Sequence, residues 1–442
     1  MIINLPENVA YIINTLEEAG FEAYAVGGCV RDVILGRTPN DWDITTSATP
    51  NETKALFKKT FDTGIQHGTV SVLLGKEIYE VTTYRIDGKY EDSRHPKEVT
   101  FTVNLEDDLL RRDFTINAMA YNPSSGLVDI YGGLEDIKRK TIRCVGNAEE
   151  RFSEDALRIL RAIRFAAQLG YEIDKETEEA IKKLAPTLSK ISAERIQVEL
   201  VKTMLSANPA ILKKAYELGV TKVFFKEFDC MMETGQNNPH HMYTVGEHTL
   251  KVCENIPAER KLRLAALFHD VAKPVAKTTD EDGVDHFNNH PKIGAQMAKD
   301  ILRRLKFDND TINAVAKLVE FHDYRPEVTK RAVRRFINKM GEEYFPDIFT
   351  LQRADLSGQS PYQMEEKLER LGKIEKIYGE ILKDNECVSL KTLAVKGKDL
   401  IDAGVKPGPD LGVILSKMLE DVLDNPQNNT KEYLLEHFVE KN

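Results

Sequence analysis

The sequence contains no run of apolar residues long enough to cross a membrane, and its N-terminal stretch carries acidic residues where a secretion signal would be basic. Both absences argue against a membrane-spanning or secreted protein. Cysteine is also scarce: the five cysteines are odd in number, widely spaced and never arranged as C-x-x-C. A disulfide framework or a zinc ribbon is therefore not expected, and the sequence predicts a cytoplasmic protein.

An excess of positive charge is missing as well. The 442 residues include 61 Lys and Arg against 71 Asp and Glu, a net charge of −10. A protein that coats nucleic acid with a wholly basic surface is excluded, so any contact with nucleic acid must use local basic patches. Two runs qualify, KRKTIR at 138–143 and KRAVRRFINK at 330–339. The sequence leaves open which of them contacts RNA.

The pattern of apolar residues changes along the chain. The first ~140 residues mix short helices with strand-like runs such as FEAYAVGG, TVSVLLG and KEIYEVTTYR. The segment RRDFTINAMAYN is predicted to be helical. Strand signals vanish from about residue 150 onward, and no short-period repeat is present. The sequence therefore predicts an α/β head followed by a long all-α body.

The head contains the segment VGGCVRDVILGRTPNDWD at 26–43. Gly27 and Gly28 end a strand and let the backbone approach a ligand closely, while Arg31 at the following helix suits a triphosphate. Asp41 and Asp43 are spaced i, i+2, which in an extended strand places both carboxylates on one face. Like charges held that close favour a divalent cation between them, and Mg²⁺ fits these ligands.

This combination resembles the nucleotidyltransferase superfamily of DNA polymerase β type. It is most similar to the class II branch, which holds bacterial CCA-adding enzymes and poly(A) polymerases, over residues 1–230. The resemblance implies a two-metal phosphoryl transfer in which Asp41 and Asp43 hold Mg²⁺ and Glu80 is a candidate third carboxylate. It also implies that Gly28, Arg31 and Arg112 hold the nucleotide. In LRRDFTINAMAY (110–121), Arg112 and Asp113 would face the nucleotide and Asn117 would support the site. VDIYGGLEDI resembles the hinge between head and neck.

The segment SEDALRILRAIRFAAQLG resembles the helix with which this branch selects nucleotides. Asp155 and Arg158 are spaced i, i+3 and are therefore expected to be neighbours on one helical face, and Arg161 and Arg164 continue the series. A carboxylate beside a guanidinium offers an acceptor and a donor fork, which match cytosine and adenine but neither guanine nor uracil. The prediction is a helix that chooses CTP and ATP without a nucleic-acid template, with the remaining arginines reaching phosphates.

Histidine is concentrated in the middle of the chain, where seven of the ten histidines fall between residues 240 and 322. The order of His248, His269-Asp270 and a distant acid resembles the HD phosphohydrolase superfamily, and Lys273 fits that pattern too. The resemblance implies a metal site of His248, His269, Asp270 and Asp355, with His290 and His322 as candidates for a second metal. Asp323 competes with Asp355. Imidazole and carboxylate ligands favour Mn²⁺, iron, Ni²⁺, Co²⁺ or Zn²⁺. An inert scaffold remains the alternative.

Four domains are expected: a nucleotidyltransferase head with a polymerase β type palm (1–140), a helical neck (141–230), an HD-like helical domain (231–360) and a helical tail (361–442). The implied function is CCA addition to the tRNA 3′ end from CTP and ATP, with no membrane partner. Open alternatives are an A-adding enzyme, a poly(A) polymerase, or an HD phosphohydrolase with a scaffolding head. The loop IDGKYEDSRHPKEV, with Glu91, Asp92 and Arg94, resembles one that CC-adding enzymes lack.

Overall fold

A computed structural model describes residues 2–87 and 99–439 of the chain. The chain divides into two compact units, Met1–Lys226 and Glu227–Asn442. Among the described residues, no helix combines the length and the apolar character that crossing a bilayer requires.

The first unit is built on a mixed sheet of seven strands, with two further strand pairs outside it. The strands are β1 (Ala23–Val26), β2 (Asp43–Thr46), β3 (Thr60–Gly64), β4 (Thr69–Leu74), β5 (Glu77–Thr83), β6 (Arg85–Asp87), β7 (Val99–Phe101), β8 (Ala120–Asn122), β9 (Gly126–Val128), β10 (Thr141–Ile142) and β11 (Glu172–Ile173). The order in the seven-stranded sheet is β3-β4-β5-β2-β1-β8-β9. In that sheet β2 and β5 run parallel and every other neighbouring pair is antiparallel. The pairs outside it are β6–β7 and β10–β11.

The helices of the first unit pack on that sheet or follow it. They are α1 (Glu7–Glu18), α2 (Gly28–Ile34), α3 (Pro50–Leu56), α4 (Leu105–Leu110), α5 (Gly133–Arg139), α6 (Ala148–Glu154), α7 (Leu157–Leu169), α8 (Lys175–Leu184), α9 (Ala193–Met204), α10 (Leu212–Glu217) and α11 (Thr221–Phe224). The i, i+3, i+4 spacing of Val9, Ile12, Ile13 and Leu16 gives α1 one apolar face. That face is fully buried in the core of the sheet.

The prediction of a helix over RRDFTINAMAYN is wrong. A single 3₁₀ turn, Thr115–Asn117, is followed by strand β8. The turn forms because Asp113 accepts a hydrogen bond from the backbone N–H of Phe114 at 2.8 Å, and Gly27 N–H bonds to Met119 O at 3.0 Å. These contacts draw the backbone into the sheet instead of a helix.

The second unit is helical apart from the hairpin of β12 (Lys277–Thr279) and β13 (Asp285–Phe287). Its C-terminal part has its own apolar core around Leu400, Met418, Val422 and Leu434. The helices are α12 (Lys226–Glu233), α13 (Val245–Glu254), α14 (Arg260–Phe268), α15 (Lys273–Ala276), α16 (His290–Arg304), α17 (Asn309–Phe321), α18 (Lys330–Met340), α19 (Phe345–Ser357), α20 (Met364–Lys383), α21 (Gly397–Asp402), α22 (Pro409–Asp424) and α23 (Lys431–Phe438).

The basic run at 330–339 forms α18, but four of its five cations are paired within the second unit. Arg334 lies buried and donates to Glu386 at 2.6 Å, and Arg331 and Arg335 both bond to Asp424. Lys330 lies 2.9 Å from Asp384. A helix whose guanidinium groups are neutralised in this way does not offer a free basic track, so the suggestion that this run follows a phosphate backbone is not supported.

Candidate active site and candidate metal centre

The turn between β1 and α2 carries the first part of the site. Gly27 has a φ of +83°, a backbone conformation that strongly favours glycine. A Cβ atom on Gly27 would lie 2.9 Å from Nη1 of Arg112, so the missing side chain is what lets this guanidinium approach the backbone. Nε of Arg112 is buried without a partner among the described residues. An anionic ligand would satisfy it.

Carboxylates gather beside this turn. Asp43 is the first residue of β2, and the parallel register places it directly opposite Glu80 of β5, so both side chains leave the same face of the sheet. Loss of hydration raises the pKa of Asp43, an effect that Arg112 opposes and Asp41 reinforces. Loss of hydration, Asp43 and Asp41 likewise raise the pKa of Glu80. Hard oxygen donors that repel one another in this way fit a divalent cation.

A hydrogen-bonded chain connects the second motif to α7. Arg161 donates to Oδ2 of Asp113 at 2.7 Å, while Asn117 donates to Oδ1 of the same carboxylate at 3.1 Å. Arg31 in turn donates to the side-chain oxygen of Asn117 at 2.5 Å. Although burial opposes ionisation, Arg161 and Asn117 lower the pKa of Asp113 to about 2. Asp113 therefore acts as a permanent anion that orients Arg161 and, through Asn117, Arg31.

Asp108 is a buried acid of this region that the sequence reasoning missed. Its carboxylate lies 2.6 Å from Arg111 and 3.2 Å from Arg112. Burial opposes its ionisation, but the two arginines lower the pKa of Asp108. The i, i+3 and i, i+4 spacing of an acid before two arginines was visible in the sequence and is the signal that could have identified it.

The expected pairing of Asp155 with Arg158 on one helical face is wrong. The backbone of Asp155 is extended, with φ −135° and ψ 104°, and it separates α6 from α7. Arg158 pairs instead with Glu154 at 2.6 Å, and Asp155 pairs with Arg195 of α9 at 2.7 Å. The Asp155 side chain also accepts a hydrogen bond from the backbone N–H of Leu157, the first residue of α7, at 3.0 Å.

Three arginines surround one aromatic ring on α7. The guanidinium carbons of Arg31, Arg161 and Arg164 lie 5.1, 5.4 and 3.9 Å from the centre of the Phe165 ring. Cation–π attraction at these distances holds the guanidinium groups together despite their like charge. Phe165 was read in the sequence only as part of the helix.

Most of these groups line a single cavity of about 950 Å³, here called the arginine-lined cavity. Glu80 is not among its lining residues, and Glu91, Asp92 and Arg94 lie outside the described residues. Each other head and neck residue that the sequence singled out lines it: Gly28, Arg31, Asp41, Asp43, Arg112, Asp113, Asn117, Asp155, Arg158, Arg161 and Arg164. The cavity joins a cationic wall to a carboxylate edge, the combination that a metal-bound nucleoside triphosphate requires.

The second unit brings six predicted side chains together, here called the histidine cluster: His248, His269, Asp270, His290, His322 and Asp355. They arrive from α13, α16 and α19 and from the ends of α14 and α17. Asp355 lies 2.9 Å from His248, whereas Asp323 is exposed and lies 3.6 Å from Arg325. The fold therefore places Asp355, and not Asp323, in the cluster.

Each imidazole of the histidine cluster is oriented by a backbone carbonyl. Nδ1 of His248 lies 3.0 Å from the carbonyl oxygen of Gly358, and Nδ1 of His269 lies 2.8 Å from that of Ala266. Nδ1 of His290 and Nδ1 of His322 each lie 2.7 Å from a carbonyl oxygen, that of Phe287 and that of Val319. Nδ1 therefore carries a proton, and in the neutral imidazole Nε2 then presents its lone pair to the centre. The Nε2 atoms of His248 and His269 lie 3.3 Å apart, as do those of His290 and His322.

Asp270 connects the two pairs of imidazoles. Each pair forms with Asp270 a group whose ligand atoms all lie within 4.8 Å of one another. Both oxygens of this fully buried carboxylate lack a hydrogen-bond partner among the described residues, although Lys273 Nζ approaches to 2.8 Å. Although burial disfavours a charged ring, Asp270 and Asp355 raise the pKa of His269. Imidazole and carboxylate ligands at these distances fit transition-metal ions, and Asp270 would belong to both ligand groups.

A pocket of about 810 Å³ lies over the histidine cluster. Lys273, Arg325 and Lys367 line it, and Lys367 donates to Gln359 at 3.0 Å. Cations around a carboxylate-rich centre suit a phosphorylated ligand.

Comparison with known proteins adds three family matches. The family described as poly A polymerase head domain matches residues 23–143. The family described as probable RNA and SrmB-binding site of polymerase A matches residues 170–232, and the family described as tRNA nucleotidyltransferase domain 2 putative matches residues 286–438.

The similar proteins cover almost the whole chain. The CCA-adding enzyme of Lactobacillus delbrueckii subsp. bulgaricus is 36% identical over 434 residues, which span 96% of this chain and 95% of the relative. A solved Bacillus stearothermophilus CCA-adding enzyme in complex with CTP is 31% identical, with a TM-score of 0.71 and 98% of each chain covered. The Thermotoga maritima CCA-adding enzyme complexed with tRNA, at 23% identity and a TM-score of 0.59, shares the fold over 97% of this chain and 93% of its own.

Proposed function

The chain belongs to the family of CCA-adding enzymes, and we propose that it transfers CMP and AMP from CTP and ATP to the 3′ end of tRNA without a nucleic-acid template. One observation carries the proposal: the carboxylates of Asp41 and Asp43, the arginines of the cationic wall, and the side chains of Asp155 and Arg158 line the same arginine-lined cavity. The matches to a polymerase head and to an RNA-binding region support the same assignment.

Nucleotidyltransferases of this family use a divalent metal. In this chain Asp41 and Asp43 would hold Mg²⁺, with Glu80 as a third carboxylate on the same face of the sheet. The metal would supply a Lewis acid for the attacking 3′-hydroxyl and the leaving pyrophosphate. Gly27 leaves room for Arg112, and Arg112 and Arg31 neutralise the triphosphate. Asn117, itself held by Asp113, keeps Arg31 in place, and Asp108 keeps Arg112 in place.

Selection of the base rests on the neck. Asp155 offers a carboxylate to the exocyclic amino group of cytosine or adenine, and Arg158, held by Glu154 and by the Arg111 carbonyl at 2.8 Å, presents a guanidinium beside it. Uracil and guanine carry a carbonyl where cytosine and adenine carry the amino group. Arg161 and Arg164 complete the cationic wall. Asp155→Ala should raise UMP and GMP incorporation about tenfold or more relative to CMP and AMP.

Nucleotide incorporation into tRNA that lacks its terminal CCA tests this function. Purified protein is incubated with that tRNA and CTP alone, ATP alone or both. Addition of two C residues with CTP, followed by a single A when ATP is also present, is the expected outcome. A single A added only to tRNA that already ends in CC would identify an A-adding enzyme, and a long A tail a poly(A) polymerase. Absence of incorporation under every condition would overturn the proposal.

The histidine cluster supports a second candidate function, metal-dependent hydrolysis of a phosphoester in an HD-like domain at 231–360. Its specific observation is the pair of imidazole groups that share the unsatisfied carboxylate of Asp270. The proposed substrate is a 2′,3′-cyclic phosphate at the end of a damaged tRNA. Addition of water across one P–O bond would open such a ring, and a transition metal would activate that water.

Metal analysis and a hydrolysis assay test the second function together. The protein is assayed on 2′,3′-cyclic AMP with Mn²⁺ or Ni²⁺, beside His269→Ala plus Asp270→Ala and beside the control His437→Ala, whose ring stacks on Tyr433 outside the cluster. Hydrolysis and about two bound ions in wild type and control, both lost in the double variant, are expected. Equal rates in all three proteins would assign any hydrolysis to a contaminant and leave the cluster a scaffold.

A further inference from the structure

Both oxygens of the Asp155 carboxylate are held by one arginine from a distant part of the sequence. Arg195, in the first turn of α9, donates through Nη2 to Oδ2 at 2.7 Å and through Nη1 to Oδ1 at 3.3 Å. Oδ1 also accepts the backbone N–H of Leu157 at 3.0 Å. Three of the four acceptor positions of the carboxylate are then used, so one position on Oδ2 remains for a ligand.

The position of Arg195 is itself determined by a buried ion pair on the same face of α9. Glu199, four residues later, accepts from Nε of Arg164 on α7 at 2.5 Å. Arg164 and Glu199 are both buried, and α7 and α9 pack along their lengths. Residues i and i+4 of a helix lie on one face, so the ion pair that anchors Glu199 also aims Arg195 at Asp155.

From this geometry we infer that Arg195 is a positioning residue for base selection: its guanidinium fork fixes the rotation of the Asp155 carboxylate so that the remaining acceptor faces the base. The inference rests on the proposed CCA addition and deepens it. A carboxylate with a fixed orientation accepts from the amino group of cytosine N4 or adenine N6, and it repels the carbonyl oxygen that uracil or guanine presents at the same place.

A freely rotating carboxylate discriminates less. Such a carboxylate can rotate so that its oxygens avoid a carbonyl oxygen, which removes the repulsion. Binding an amino group also costs it rotational entropy. The bidentate fork removes that freedom because two parallel N–H···O bonds define a plane, which a single ammonium group does not. Both the charge and the shape of Arg195 therefore matter, and they can be separated by experiment.

The experiment compares kcat/KM for CTP and UTP on tRNA lacking CCA, using the full chain as wild type, Arg195→Met and Arg195→Lys. Lys190→Met is the matched control, because it removes one exposed cation near the start of α9 without touching the arginine-lined cavity. We expect the preference for CTP to fall roughly tenfold or more in both Arg195 variants and to stay unchanged in the control.

A double-substitution cycle separates positioning from a structural role. If Arg195 acts through Asp155, Arg195→Lys added to Asp155→Ala changes the CTP preference no further. Equal losses for CTP and UTP, with an unchanged preference, would mean that Arg195 only holds α9 on α7 and would overturn the inference. A wild-type preference in Arg195→Lys would overturn the role of the fork. Wild type that incorporates neither nucleotide would refute CCA addition itself, and this inference with it.

Discussion

At the scale of single residues, the head site is a balance between acids that repel one another and arginines that hold them. Loss of hydration and, to a smaller extent, the neighbouring acids raise the pKa of Asp43 and of Glu80, and Arg112 partly offsets the rise for Asp43. A divalent cation bound between the carboxylates would relieve their repulsion, so their arrangement fits a metal site.

Substitution of the head carboxylates should therefore abolish transfer without unfolding the protein. Asp41→Asn or Asp43→Asn should lower CMP incorporation by about three orders of magnitude, since each removes a charged metal ligand. Asp62→Asn, which alters an exposed acid paired with Lys54, is the control and should keep wild-type turnover. Thermal unfolding should stay close to wild type in all three variants. Turnover within about tenfold of wild type for Asp43→Asn would contradict the metal assignment.

Gly27 permits a second residue-scale test. Gly27→Ala should raise the KM for CTP and ATP about tenfold or more. The added Cβ would lie only 2.9 Å from Nη1 of Arg112, so the guanidinium would have to move away. Gly20→Ala provides the control, since Gly20 has a similar positive φ of +90° but nothing within 4 Å of the added Cβ. Both variants should lose about 1 kcal/mol of stability from backbone strain, and Gly27→Ala alone should lose nucleotide affinity. An unchanged KM for Gly27→Ala would show that the close approach has no role in binding.

At the scale of elements, pairing partners decide what a charged helix does. α18 carries the basic run 330–339, yet α22 and the residues just after α20 supply acids to its cations. Arg334 also donates to the carbonyl oxygen of Leu423 at 2.7 Å, so this side chain ties three segments of the C-terminal part together. The helix is a structural element of the second unit.

Two arginines of α18 test that interpretation. Arg334→Ala should lower the free energy of unfolding by about 2 kcal/mol, because it removes the buried guanidinium that bonds to Glu386 and to the carbonyl oxygen of Leu423. Glu386 would keep only its contact with Lys330 at 3.2 Å. Arg331→Ala should cost less than about 1 kcal/mol, since its side chain is 63% exposed. Neither substitution should change the salt dependence of tRNA binding, measured by filter binding between low and moderate salt. A weaker salt dependence of tRNA binding in Arg331→Ala would show that α18 contacts RNA after all.

At the scale of the whole molecule, the second unit assembles the histidine cluster from residues up to 107 positions apart, as in the contact between His248 and Asp355. Buried imidazoles with facing lone pairs are costly unless something binds between them. Bound ions would join five segments of chain and so stabilise the folded state through linkage.

Metal should therefore raise the thermal stability of the protein. Addition of Mn²⁺ to chelator-treated protein should raise the thermal midpoint, and free metal at 100 times its Kd corresponds to about 2.7 kcal/mol of stabilisation per site. The shift should disappear in His269→Ala plus Asp270→Ala and persist in His437→Ala. Incorporation of CMP in the presence of Mg²⁺ should remain at wild-type level in both. A shift of equal size in all three proteins would contradict binding at the cluster.

What the sequence determined by itself are the features that depend on local spacing. Examples are the glycine pair before Arg31, the i, i+2 aspartates and the periodic apolar face of α1, each of which depends on residues close together in the sequence. The order of the motifs identified the family. The tertiary structure alone decided which charges meet. Asp155 pairs with Arg195 and not with Arg158, and Asp355 rather than Asp323 joins the histidine cluster. The packing of whole helices determines which charged side chains come within contact distance, and the residues next to a side chain in the sequence do not determine that packing.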